Sequence, residues 1–184
     1  MYLRVRRTAV LSLFILIGPF CFYPTLHAFP EEAMPKFEKG LEFYKKEMLD
    51  EAIEEFTRAI ETDPKFAQAY YRRGLAYQSQ DELAKAISDY SAAIQLDPQN
   101  AEVYYNRGIA YYYHDYPDKA IADWSRALEL DPEQPQIYQK RAFAYMLKNE
   151  YDLSWKDVSK LEELGYEAEP KFLDELRRVS GRVK

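Results

Sequence analysis

Small and apolar residues in this chain recur on a strict 34-residue period. Gly40, Gly74 and Gly108 hold one register, Ala52, Ala86 and Ala120 a second, and Pro64, Pro98 and Pro132 a third. The stretch AQAYYRRGLAYQSQDELAKAISDYSAAIQLDPQN, residues 67–100, returns at once as AEVYYNRGIAYYYHDYPDKAIADWSRALELDPEQ, residues 101–134. A fixed period of this size marks a stacked repeat, in which one unit cannot bury its apolar face alone. Within each unit the pattern predicts two helices. In the first they run from about residue 34 to 45 and from about residue 49 to 61. In the second, polar Ser79, Gln80 and Asp81 separate the two helical patterns. In the third, Pro117 stands where the first turn of a helix tolerates it. Asp63-Pro64, Asp97-Pro98 and Asp131-Pro132 are helix stops, because a residue before proline is pushed out of the α region.

The small residues say how the two helices meet. Gly74 and Gly108 sit inside helices, where glycine costs about 1 kcal/mol relative to alanine. Repetition of that cost at one spacing implies close helix contact. Ala86 with Ala93, and Ala120 with Ala127, supply matching small positions on the second helix. Tyr77 with Tyr90, and Tyr111 with Trp124, are then large core residues expected to interlock across each hairpin and into the next. A charge pattern runs on the same period. Lys39, Arg73, Arg107 and Arg141 are each followed sixteen residues later by an acid, Glu55, Asp89, Asp123 and Asp157. This predicts an ion pair inside each hairpin, of modest worth if exposed, roughly 0–1 kcal/mol.

The order of small and large residues, ending in proline, resembles the tetratricopeptide repeat (TPR) family. The resemblance, to an exported bacterial-type member, covers about three quarters of the chain. It implies an all-α fold, an α-solenoid of about four helical hairpins at 33–66, 67–100, 101–134 and 135–168. The fourth unit is degenerate: Ala142 replaces the glycine, Ser154 and Leu161 replace the two alanines, and Tyr166 stands at the proline position. Gly165 stops its last helix. Residues 169–184 follow as a capping helix, with Phe172, Leu173, Leu176 and Val179 on one stripe at helical spacing. A partner-binding amphipathic helix is the other reading of that stripe.

The N-terminus has a different character. Arg4, Arg6 and Arg7 precede an apolar run from Ala9 to Tyr23, shorter than the roughly 20 residues of a spanning helix. Residues 1–28 read as a signal peptide cleaved after Ala28, with an uncleaved anchor as the alternative, and 29–32 as a linker. The expected location is periplasmic or secreted, or the inner membrane if the anchor stays. Any membrane contact would go through this segment alone. Beyond it the chain carries 22 basic and 31 acidic residues, a net of −9, which argues against nucleic acid as a partner.

The catalytic inventory is nearly empty. Removing the leader leaves no cysteine and a single histidine, His114, and no Gly-rich phosphate loop appears. No catalytic residue, cofactor site or metal site is assigned, and the chain reads as a non-enzyme. In TPR proteins the first helices line a groove for a partner peptide or helix. Carried over here, that face includes Tyr44, Tyr71, Gln78, Tyr105, Tyr112, Tyr113 and Gln139, with Arg72, Asn106 and Lys140 between them at 34-residue spacing. Phe37, Leu41, Ile109 and Phe143 share the face. Some TPR proteins grip a C-terminal carboxylate with a five-residue clamp. Asn106 and Lys140 match it, whereas Tyr71, Leu75 and Gln136 do not, so a clamp is not expected. The leading reading is a protein–protein adaptor or scaffold of the cell envelope. The alternatives are a self-associating solenoid, a homo-oligomer, or an accessory domain for a glycan- or lipid-handling enzyme.

Overall fold

A computed structural model describes residues 32–182. The leader and its cleavage site lie outside the described residues. Within them the chain is all-α, a solenoid of helical hairpins. Helices α1 (Met34–Lys45) and α2 (Leu49–Thr62) form the first hairpin, and α3 (Ala67–Ser79) and α4 (Leu83–Leu96) the second. Then come α5 (Ala101–Tyr113) with α6 (Pro117–Leu130), α7 (Pro135–Leu147) with α8 (Tyr151–Glu163), and α9 (Pro170–Ser180). Each of α1–α8 packs on its chain neighbours, and first helix touches first helix at α1–α3 and α3–α5.

Close approach at glycine sets the hairpin angle. A Cβ on Gly40 would lie 2.6 Å from the Phe56 ring, one on Gly74 2.7 Å from Tyr90, and one on Gly108 2.5 Å from Trp124 Nε1. Each first helix thus seats a second-helix aromatic directly on its backbone. In the fourth hairpin Ala142 occupies this position, and the buried Ser154 hydroxyl donates to the Ala142 carbonyl at 2.7 Å. The smaller side chain and its hydrogen bond replace the ring.

Each hairpin turns through a left-handed residue at the same register: Glu47, Asp81, Asp115 and Asn149, with φ between 59° and 64°. The following amide reaches back five residues, as in Met48 N to Phe43 O at 3.0 Å and Tyr116 N to Tyr111 O at 2.9 Å. This satisfies the carbonyls left open at a helix end. Asp and Asn tolerate the left-handed region better than most residues, which suits them to three of the four turns.

All four expected ion pairs form, and three are built far more deeply than a surface pair. Arg73, Arg107 and Arg141 each make a two-pronged contact with Asp89, Asp123 and Asp157 at 2.7–2.8 Å. The carboxylates are buried and the guanidinium side chains only 16–17% exposed. The remaining arm donates to a hydroxyl of the preceding hairpin: Thr57 at 3.0 Å, Ser91 at 3.1 Å and Ser125 at 2.9 Å. Each hydroxyl donates in turn to its own helix, to Ile53, Ile87 or Ile121. The contact therefore joins neighbouring hairpins as well as the two helices of one.

Tyrosines close the same site. Arg73 lies against the rings of Tyr70 and Tyr77, Arg107 against Tyr104 and Tyr111, and Arg141 against Tyr138 and Tyr145, all at 5.7–5.9 Å. Tyr77 and Tyr111 thus cover an arginine from one helical turn away while also packing against the core of their own hairpin. The first unit is a weaker copy. Lys39 is 55% exposed, and its amine reaches Glu55 at 2.8 Å. Glu55 is also held by Arg58.

The C-terminal helix ends the array. By register α9 stands in the place of a fifth first helix, but Glu175 falls at the arginine position and Leu176 at the glycine position. Leu176 is fully buried, Phe172 lies 5.9 Å from Phe143, and Trp155 donates to Ser180. Leu176 and Phe172 join the core of the last hairpin, so α9 covers its apolar edge.

Two outcomes follow for stability. Gly108→Ala should lower the unfolding free energy by about 1–3 kcal/mol, because overpacking against Trp124 outweighs the gain in helix propensity. A urea midpoint that stayed put or rose would refute the close approach. Asp123→Ala strands a buried arginine and should cost about 3 kcal/mol, whereas Glu129→Ala, which removes an exposed partner of Arg126, should stay within about 0.5 kcal/mol. Equal losses in the two variants would contradict the burial argument.

Candidate groove on the first helices

A groove of about 490 Å³ opens across the first helices of units two to four. Tyr71 and Leu75 come from α3, Ala101, Glu102, Tyr105 and Asn106 from α5, and Gln136 and Ile137 from α7. Asp131 and Gln134 close it from the α6–α7 connection. The stacking contacts above hold these three helix starts side by side.

A hydrogen-bonded set fixes one wall. Asn106 donates from its amide to the Tyr71 hydroxyl at 3.0 Å and to the Glu102 carbonyl at 2.9 Å. Asn100 caps α5 by accepting from the Glu102 amide at 3.1 Å, which sets where that helix begins and so where Glu102 stands. On the other side Asp131 accepts from the Gln134 side chain and the Glu133 amide. Burial first, and then the Glu102 carboxylate, push the Tyr71 hydroxyl well above the usual tyrosine range. Burial does the same for Tyr90, whose hydroxyl donates to Gln78 at 2.8 Å.

Of the residues expected to face a partner, Tyr71, Tyr105 and Asn106 come together here. Tyr71 is itself a core residue at 5% exposure, presenting little beyond its hydroxyl. Tyr44 is engaged with Ser79 at 3.2 Å, Gln78 with Tyr90, and Arg72 lies over the Tyr71 ring at 5.4 Å. Lys140 is exposed and Gln139 half-buried, and neither lines the groove. Phe37 belongs to the core of the first unit, against Phe56 and Phe66. Tyr112 and Tyr113 sit at the far end of α5 in an aromatic patch. Tyr112 packs edge-on to Tyr113 and to Phe143, and Tyr113 is 66% exposed. Sequence reasoning missed Glu102, Asp131 and Gln134 as groove residues. Their one signal was their place at or just before a helix start, the end at which the first helices line the groove.

Among the described residues no group of three or more His, Cys, Asp or Glu side chains could hold a metal ion, and no helix is long and apolar enough to cross a membrane.

Comparison with known proteins supplies the family. A TPR-repeat model matches residues 40–81 and 79–114, and a tetratricopeptide-repeat model matches residues 101–134. The chain belongs to the tetratricopeptide repeat family. Among solved structures it is similar to MamA, at 28% identity over 74% of this chain and 80% of that one, with a TM-score of 0.71. It is also similar to the first TPR of Spaghetti (RPAP3) bound to the HSP90 peptide SRMEEVD, at 27% identity over 67% of this chain and 98% of that one, TM-score 0.65. YrrB, described as a TPR protein with an unusual peptide-binding site, shares the fold at 17% identity over 83% of this chain and 89% of that one, TM-score 0.69. No match was found among curated proteins.

The raised tyrosines set a pH dependence. A group whose folded-state pKa lies above its unfolded value stabilises the fold below the unfolded pKa, and that contribution is lost as pH rises through the folded value. Tyr71 and Tyr90 should therefore stay protonated past about pH 11 and ionise only with alkaline unfolding. Absorbance titration of Tyr71→Phe against the parent checks this. A phenolate signal from Tyr71 near pH 10, in protein still folded by circular dichroism, would contradict it.

Proposed function

We propose that this TPR protein is a non-catalytic adaptor of the cell envelope that holds a segment of a partner protein across α3, α5 and α7. The observation that carries the reading is the groove itself. Side chains from three consecutive first helices line one opening, so an extended segment crossing it touches three repeats at once. Association with protein segments is the common use of this fold, and the RPAP3 domain binds a peptide. The step from fold to this chain rests on the groove, since a fold alone does not name a function. The envelope location rests on the basic and apolar leader, Arg4 through Tyr23. Self-association by end-to-end stacking is the weaker reading, because α9 fills the slot where a fifth repeat would dock, with Glu175 and Leu176 in place of arginine and glycine.

Crosslinking in intact cells tests both halves, using a reagent that crosses the outer but not the inner membrane. The native protein and Lys140→Ala should capture the same partner, and a combined Asn106→Ala and Gln136→Ala variant should lose it. Tyr71 is left unchanged because its ring belongs to the core. Capture that survives in the groove variant would move binding to another face. Capture that requires lysed cells would remove the envelope assignment.

A further inference from the structure

The first helices present two different surfaces at their two ends. At their starts, the groove walls carry two carboxylates, Glu102 and Asp131, and no lysine or arginine lines it. Arg72, next to Tyr71 on α3, lies over the Tyr71 ring. At their far ends, Tyr113 and Leu147 occupy equivalent positions on α5 and α7, at 66% and 56% exposure, with Phe143 exposed beside them. Tyr112 links this patch to the fold by packing on Trp124 and Phe143. Tyr112 touches both Tyr113 and Phe143, which puts these exposed rings together at one end of the first helices.

The spacing of the two zones is set by α5. Glu102 and Tyr113 are eleven residues apart on that helix, which is about 17 Å at the helical rise. A segment that crosses the three helix starts and then turns along α5 covers that distance in about five further residues.

From this we infer that the partner segment is bipartite: an extended stretch with one lysine or arginine, and aromatic or aliphatic residues about five positions away. The basic side chain enters between Glu102 and Asp131, and the apolar residues lie on Tyr113, Phe143 and Leu147. A segment ending in a free carboxylate meets the wrong charge in this groove. Leu75 and Gln136, which also line the groove, carry no charge. The net acidity of the repeat body favours the same partner at longer range. This inference rests on the groove reading and adds the chemistry of its occupant.

The test uses the full chain and three dye-labelled probes with blocked ends, read by fluorescence polarisation. The first places Lys five residues from a Leu-Phe pair, the second replaces Lys by Glu, and the third replaces Leu-Phe by Ser-Ser. Saturable binding of the first probe is expected, with the second about tenfold weaker. Glu102→Gln should weaken the first probe by about threefold to fivefold at low salt, less at high salt, and leave the second probe no worse. Leu147→Ser should weaken the first probe and leave the third unaffected. Circular dichroism confirms that both variants fold, and the Asn106 side chain still reaches the Tyr71 hydroxyl in Glu102→Gln. No saturable binding of the first probe, equal binding of the Lys and Glu probes, or indifference to both substitutions would overturn the proposal. If any of these occurs while the Asn106→Ala and Gln136→Ala variant still loses its crosslinked partner, the groove stands and only the stated chemistry fails.

Discussion

A carboxylate taken out of water must be paired and fully hydrogen-bonded, or it destabilises the fold that buries it. Asp89, Asp123 and Asp157 are buried on the second helix of each hairpin, and one arginine meets each requirement. Its fork takes both carboxylate oxygens, its remaining arm takes a hydroxyl from the preceding hairpin, and tyrosines cover its two faces. The geometry leaves little freedom. Arginine and aspartate lock the two helices of one hairpin in register, and the Thr57, Ser91 and Ser125 hydroxyls lock each hairpin to the one before it. Three such sites in series determine how the first helices stand beside one another, and that alignment is what makes a groove from α3, α5 and α7.

The ends of the array are variations on the same site. At the first hairpin a flexible, exposed lysine replaces the arginine, and Glu55 recruits Arg58 from its own helix as a second partner. The Lys39 amine, hydrogen-bonded to Glu55, holds that carboxyl below its ordinary range. At the other end Ser159 holds the register of the stacking hydroxyl, but Glu175 stands where the next arginine would be, and the Ser159 hydroxyl donates to Trp155 of its own helix. The ladder stops there for a local chemical reason, and the Phe172–Leu176 face of α9 covers what the missing repeat would have covered.

The chain carries four copies of the unit, the last of them degenerate, and self-comparison exposes whatever the repeat requires. Gly40, Gly74 and Gly108, the helix breaks, and the sixteen-residue acid–base spacing were legible for that reason. The third partner was not. Thr57, Ser91 and Ser125 also stand sixteen residues before their arginines, but serine and threonine are common on helix surfaces and carry no charge to flag them. The pairing of Arg107 with Tyr104 and Tyr111 was equally present in the sequence, where Tyr111 read only as a core residue because nothing told burial of a tyrosine ring from cover over a cation. The left-handed turn residues escaped notice because Glu47, Asp81, Asp115 and Asn149 are not glycine. The groove was legible in part. Asn106 and Tyr105 are where a first-helix face should present them, but the buried depth of Tyr71 and the convergence of Glu102 with Asp131 depend on how three units stack. A 34-residue period describes each unit and not the space between them.

At the centre of this account, each buried arginine and its aspartate act as one coupled site. A double-mutant cycle on Arg107→Met and Asp123→Leu, read by urea unfolding, tests it most directly. Each single substitution strands a buried charge, so each should cost several kcal/mol, whereas the double variant removes both charges and should recover most of that loss, giving a coupling energy of about 2 kcal/mol or more. Losses that simply add, with coupling near zero, would mean that the two residues stabilise the fold independently and that the register of the hairpins is set by packing alone.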